Sequence, residues 1–117
     1  MTADEFRRMA LELPQAVEGS HMGHADFRVG GKIFATLGYP SDRFGVVMLS
    51  PQDQDLMIRS HPKAFTPSTG AWGAAGSTNI LLRSAPKRAV AMALEAAWRK
   101  RAPKRLAAAL DRASESN

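Results

Sequence analysis

Apolar positions over the first dozen residues recur at helical spacing. Phe6, Met9, Ala10 and Leu13 form one stripe of TADEFRRMALEL, which predicts an amphipathic helix over residues 2–13. Thr2 stands where an N-cap belongs, and Glu5 completes a capping box three residues later. Asp4 and Glu5 set negative charge at the positive end of the helix dipole. Pro14 ends the run. The period then shortens. In HADFRVGGKIFATLG, Gly30-Gly31 can take the positive φ angles of a two-residue hairpin turn. Pairing about that turn sets Val29 opposite Lys32, Arg28 opposite Ile33 and Phe27 opposite Phe34, with the two phenylalanines stacked across the strands. Both faces carry apolar residues, so the pattern leaves open which one meets the core.

Tyr39 to Asp42 reads as a turn, and FGVVML over 44–49 as a buried strand. Ser50 caps a helix that has Pro51 at its first position and Asp53 at the third. It runs to about Ser60, with Leu56 and Met57 as its inward residues, until His61-Pro62 stops it. Residues 63–79 are loop-rich and suggest a bent hairpin around Gly73–Ser77. Thr78 to Arg83 is the last strand. Pro86 opens a long helix over 86–101 whose apolar face is Val90, Ala91, Leu94, Ala97 and Trp98. Pro103 breaks it and starts a final helix through Leu106, Ala109 and Leu110, and the tail ASESN is expected to fray. Short hairpin links and the lack of a βαβ alternation predict an α+β domain: a mainly antiparallel sheet with helices on one face and the other face partly open.

A chain of 117 residues fits one domain with its own core. No apolar run approaches the ~20 residues that span a bilayer, and MTADEFRR lacks the apolar centre of a signal peptide. A cytoplasmic protein is expected, with no membrane partner. There are no cysteines, which excludes disulfides, zinc ribbons and thiol chemistry. Charge is uneven. Nine basic residues lie between Arg83 and Arg112, opposed only by Glu95 and Asp111, so this segment carries +7 of a net +5 and the remainder −2. Such an end attracts phosphates or an acidic partner; the bland alternative is a solvated helix face.

Motifs for catalysis are missing. There is no Walker loop, no G-x-S-x-G and no H-E-x-x-H. Gly73-Ala-Ala-Gly76 matches the GxxG of a KH loop only in letters, because its flanks are loop and strand. The string GSHMGH over 19–24 looks like a tag remnant but is internal. His21 and His24 are three apart, a spacing that suits a metal on a helix, and Gly19 and Gly23 break any helix there. They read as solvated or hydrogen-bonded histidines at a strand end, at the entry to a β-sheet, so no metal and no cofactor is expected. Trp98 belongs to a helix core. Trp72 sits among glycines, as a core cover or an exposed stacking platform.

The block LPQAVEGSHMGHADFRVGGKIFA resembles the MmcQ/YjbR-like family. The matching positions are Leu13, Pro14, Glu18, Gly19, Phe27, Arg28, Val29, Lys32, Ile33, Phe34 and Ala35. The Ser50-Pro51 helix start, Phe65, Trp72-Gly73 and the C-terminal helix also fit, so the resemblance covers nearly the whole chain. It implies a CyaY-like fold, as in bacterial frataxin, and a DNA-binding label based on winged hairpins. AWGAAGS departs from that pattern, because a wing there would lack Lys and Arg. The frataxin likeness would also imply iron on an acidic ridge. Asp4, Glu5 and Glu12 are too few for that and are interrupted by Arg7 and Arg8.

The leading expectation is a domain that binds duplex DNA by phosphate contacts with weak sequence preference. Its candidate contacts are Arg28 and Lys32 at the hairpin, Arg83, Lys87 and Arg88 at the start of the long helix, and Arg99, Lys100, Arg101, Lys104 and Arg105 beyond. One alternative is a protein-interaction module using the open sheet face. The other is a small-molecule site around His21, His24, Asp26 and Trp72.

Overall fold

The computed structural model describes residues 1–115. In chain order the elements are α1 (Ala3–Leu11), β1 (Val17–His21), β2 (His24–Val29), β3 (Lys32–Leu37), β4 (Phe44–Met48), α2 (Pro51–Ser60), β5 (Phe65–Pro67), α3 (Gly70–Ala74) and β6 (Ser77–Leu81). A 3₁₀ turn, Leu82–Ser84, leads to α4 (Lys87–Arg101) and α5 (Lys104–Glu115). The sheet has six strands in the order β1-β2-β3-β4-β6-β5, and every neighbouring pair is antiparallel. The α+β class read from the pattern is the observed one.

Local chemistry sets the helix ends. The capping box forms in full: Glu5 N donates to Thr2 Oγ1 at 3.1 Å, and Thr2 N donates to Glu5 Oε1 at 3.0 Å. Ser50 caps α2 by accepting from Asp53 N at 3.1 Å, with Pro51 at the first position. Helices α1 and α2 each pack on α4, and all three pack on one side of the sheet. Between them and the sheet lie Phe6, Phe27, Phe34, Val47, Leu49, Phe65, Ile80, Leu94 and Trp98, all essentially inaccessible. Trp98 satisfies its indole by donating to Pro14 O at 2.9 Å. A buried donor left unpaired would be costly.

Several sequence expectations need correction. GSHMGH is a hairpin in its own right: β1 and β2 pair across Met22-Gly23, whose φ angles are 50° and 80°. Between β2 and β3 the register holds at Val29–Lys32 and Arg28–Ile33, then shifts, so that Phe27 lies opposite Ala35 and not Phe34. The bulge lets Phe34 and Ala35 both enter the core. Leu56 is exposed and Met57 is the buried residue of α2. On α4 the buried face is Ala89, Val90, Ala93, Leu94, Ala97 and Trp98, with Ala91 in solvent. On α5, Leu106, Ala107 and Leu110 pack inward while Ala109 is exposed.

The bent hairpin around Gly73–Ser77 is replaced by α3, and β6 pairs instead with β5. The fold needs glycine there, because a Cβ at Gly73 would overlap Ser68 O. The polar tail is helical as far as Glu115, and Ser116 and Asn117 lie outside the described residues.

Strand β4 crosses directly beneath α1. A Cβ on Gly45 would stand 2.8 Å from Phe6 Cε2 and 2.9 Å from its Cζ. Gly45→Ala is therefore expected to lower stability by about 1–3 kcal/mol through overpacking. Urea unfolding should show less loss for Gly45→Ala with Phe6→Leu than the sum of the two single changes, since the pair shares one space.

Candidate functional site

Two surfaces collect the sequence-predicted residues. The first is the side of the sheet that no helix covers. Alternation along β2 sends Phe27 and Val29 into the core and His24, Asp26 and Arg28 to the uncovered side. Asp26 is nonetheless fully buried, because its neighbours lie over it. Arg28 Nε donates to Asp26 Oδ1 at 2.8 Å, and Arg28 NH2 to Oδ2 at 3.0 Å. His21, reaching across from β1, places Nδ1 2.8 Å from the same Oδ2.

Gly19 stands opposite Asp26. A Cβ there would fall 2.9 Å from Asp26 Oδ1 and 3.3 Å from Arg28 Nε, so glycine makes room for the cluster. Beside it, His24 lies opposite His21 and meets Tyr39 edge-on, with ring centroids 6.2 Å apart. The Arg28 hydrogen bonds hold the Asp26 carboxyl below the usual carboxylate range; burial opposes them and His21 assists. Asp26 in turn raises Arg28.

The second surface is the end of the domain where the β2–β3 turn meets the α4–α5 junction. Gly30 has φ 58°, and a Cβ there would lie 3.1 Å from Pro103 Cδ. This contact sets Lys32, which is exposed on the helix side of β3, beside the chain that carries Arg101, Lys104 and Arg105. Lys32, Lys104 and Arg105 make no ion pair among the described residues. Arg101 is half-buried, and its Nε has no partner among them.

The remaining basic candidates are engaged or distant. Arg99 binds Asp111 at 2.8 Å and Glu95 at 3.5 Å, and Asp111 is the main reason its pKa rises. Lys100 Nζ donates to Leu49 O at 2.8 Å, and burial pushes its pKa down. Lys87 pairs with Glu5, whose pKa it draws down to about 2. Arg83 and Arg88 are exposed at the other end of α4, and Arg88 is roughly 20 Å from Arg101 at the α-helical rise. Trp72 is 76% exposed on α3, which packs on β6, three strand spacings or roughly 14 Å from β2. The structure thus joins His21, His24 and Asp26 and leaves Trp72 apart. Sequence reasoning missed Gly19 and Tyr39 as neighbours of that cluster. The signal was Met22-Gly23, a two-residue turn that sets His21 opposite His24.

Among the described residues no three or more His, Cys, Asp or Glu side chains gather as metal ligands, and no helix is long and apolar enough to cross a membrane. The architecture defines the class as a small α+β domain with an open antiparallel sheet. The chain belongs to the YjbR family, whose model matches residues 11–100. Its fold is similar to the crystal structure of Deinococcus radiodurans protein DR2400, described by the family-model domain DUF419, with a TM-score of 0.68. The two are 18% identical over 83% of this chain and 75% of that one, a likeness of fold. No curated protein matches the sequence.

Asp26→Asn should lower stability at neutral pH by about 1.5–3 kcal/mol, the scale of a hydrogen bond to a charged group. Because the native carboxyl pKa is depressed, its contribution is full above the unfolded value near ~4 and is lost as pH falls through the native one. Chemical denaturation at a series of pH values should show the gap between wild type and variant closing only on the acid side.

Proposed function

We propose that this domain binds the phosphate backbone of nucleic acid, duplex DNA in the first instance, through its basic end. One observation carries this reading: the Gly30–Pro103 contact brings Lys32 of the hairpin beside the α4–α5 junction with Arg101, Lys104 and Arg105. Cations grouped without acidic partners neutralise phosphates and release counterions on binding. Arg28 lies outside this interface, since the hairpin register turns it to the side of the sheet opposite Lys32. Nor does a second wing contribute, since α3 stands where one would form. Without a motif that reads base edges, the contacts position the duplex and carry little sequence preference.

Fluorescence anisotropy with labelled duplex DNA across a salt series tests this. About four phosphate contacts should give a log–log slope of roughly −3 to −4. Lys32→Glu with Lys104→Glu and Arg105→Glu should weaken binding at least tenfold and flatten the slope, while Arg83→Glu with Arg88→Glu changes it little. Binding that disappears at physiological salt, or that tolerates the triple reversal, would sink the proposal. A protein partner on the open sheet face would then be the reading to pursue.

A further inference from the structure

We propose that β1 is a self-complementary edge, through which two copies of the chain join their sheets by pairing β1 with β1 about Gly19. This surface is separate from the basic end. The two edges of the sheet differ. β5 has three residues, ends at Pro67, which has no N–H, and is followed closely by α3. β1 has five residues, contains neither proline nor lysine, and pairs with β2 along its whole length without a bulge. Its one carboxylate, Glu18, is already paired with Arg7 at 3.1 Å, and its valine, Val17, is 58% exposed.

The turn decides which backbone groups this edge offers. Met22 and Gly23, at φ 50° and 80°, have the positive angles of a type I′ turn. The residues that flank such a turn, His21 and His24, exchange both hydrogen bonds, and bonded and non-bonded pairs then alternate along the ladder. His21, Gly19 and Val17 therefore direct their N–H and C=O to β2, and Ser20 and Glu18 direct theirs outward. The next hairpin agrees. Gly30-Gly31 also has positive φ, so Val29 bonds to Lys32 on β3, and Arg28 turns to Val17 on β1. Among the described residues no backbone group of another element bonds to the N–H or C=O of Glu18 or Ser20.

A second copy fits these groups in one register. Two antiparallel strands about a two-fold axis must set outward residues opposite outward residues. Pairing centred on Glu18 sets two carboxylates face to face, which is unfavourable. Pairing centred on Ser20 runs into the Met22-Gly23 turn. Pairing centred on Gly19 sets Glu18 opposite Ser20 of the second copy, and Ser20 opposite Glu18, and each of these pairs exchanges both bonds. Gly19 then faces its own equivalent at a non-bonded position, where strands come closest and no side chain intervenes. On the uncovered side Val17 comes opposite His21 of the second copy, a ring held in place by Asp26, and is covered by it. Five residues of strand, roughly 17 Å long, make a small interface, so the dimer is weak and concentration-dependent.

Sedimentation velocity of the full chain from micromolar to millimolar concentration tests this, alongside amide hydrogen exchange. The expected result is a shift from monomer to dimer, with slower exchange at the Glu18 and Ser20 amides as the dimer forms. Ser20→Glu opposes two carboxylates in both pairs and should weaken association about tenfold. Glu18→Lys with Ser20→Glu sets opposite charges across the same pairs and should restore it. Ser20→Pro removes an outward N–H without breaking a bond to β2 and should abolish the dimer; both positions are exposed, and circular dichroism checks that each variant is folded. A chain that stays monomeric at millimolar concentration overturns the second copy as occupant, whether or not a strand of another protein takes the edge. A dimer that tolerates Ser20→Pro and Ser20→Glu overturns β1 as the interface. A charge exchange that fails to restore association overturns the register.

Discussion

Every functional surface of this domain depends on α4 lying across one side of the sheet. Its buried face is Ala89, Val90, Ala93, Leu94, Ala97 and Trp98, and the Trp98 indole bonds to Pro14 O just beyond α1. Small residues let the helix sit close, and one large one fixes its position; truncating such a tryptophan typically costs about 3–5 kcal/mol. Two consequences follow. The C-terminus of α4 is delivered to the β2–β3 turn, where Gly30 meets Pro103. The opposite side of the sheet is left uncovered, and polar chemistry is built there.

Much of this was legible in the sequence. Thr2 and Glu5, Ser50 and Pro51, and Gly30-Gly31 each place an element boundary by local chemistry, and each did so correctly. Failures arose where long-range packing overrode a local pattern. Nothing near Phe27 announces the bulge that sets it opposite Ala35, because the bulge accommodates two core residues in succession on β3. Leu56 outranks Met57 in hydropathy, yet the angle at which α2 packs on α4 and β5 decides which one is buried. The glycine-rich stretch before β6 reads as loop, but Gly73 is there to let a short helix approach Ser68.

The candidate site was legible as composition and less so as arrangement. The excess of +7 between Arg83 and Arg112 is real as a count. Much of it is held internally, since Arg99, Lys100 and Lys87 each satisfy a partner contributed by another element. A surface pair of this kind contributes little to stability, but it does remove a cation from the set available to a ligand. What a phosphate backbone would meet is therefore a smaller group than the sequence advertises. Its membership depends on a contact between residues 30 and 103 that no window of sequence contains.

Arg28 and Lys32 show how strongly parity governs this fold. They flank one turn, four residues apart, and carry the same charge. Strand geometry sends them to opposite sides of the sheet. Lys32 joins the helix side and stays without an ion pair, whereas Arg28 joins the uncovered side and is bound to a buried carboxylate. Register decides this: a slip by one residue would exchange their roles and expose Phe27 and Val29 in the same stroke. The burial of those two residues in the core therefore also assigns Arg28 to the Asp26 cluster and Lys32 to the basic end. The placement of both groups is thus tied to the hydrophobic pattern of a single hairpin, whose register sets the core and the two surfaces together.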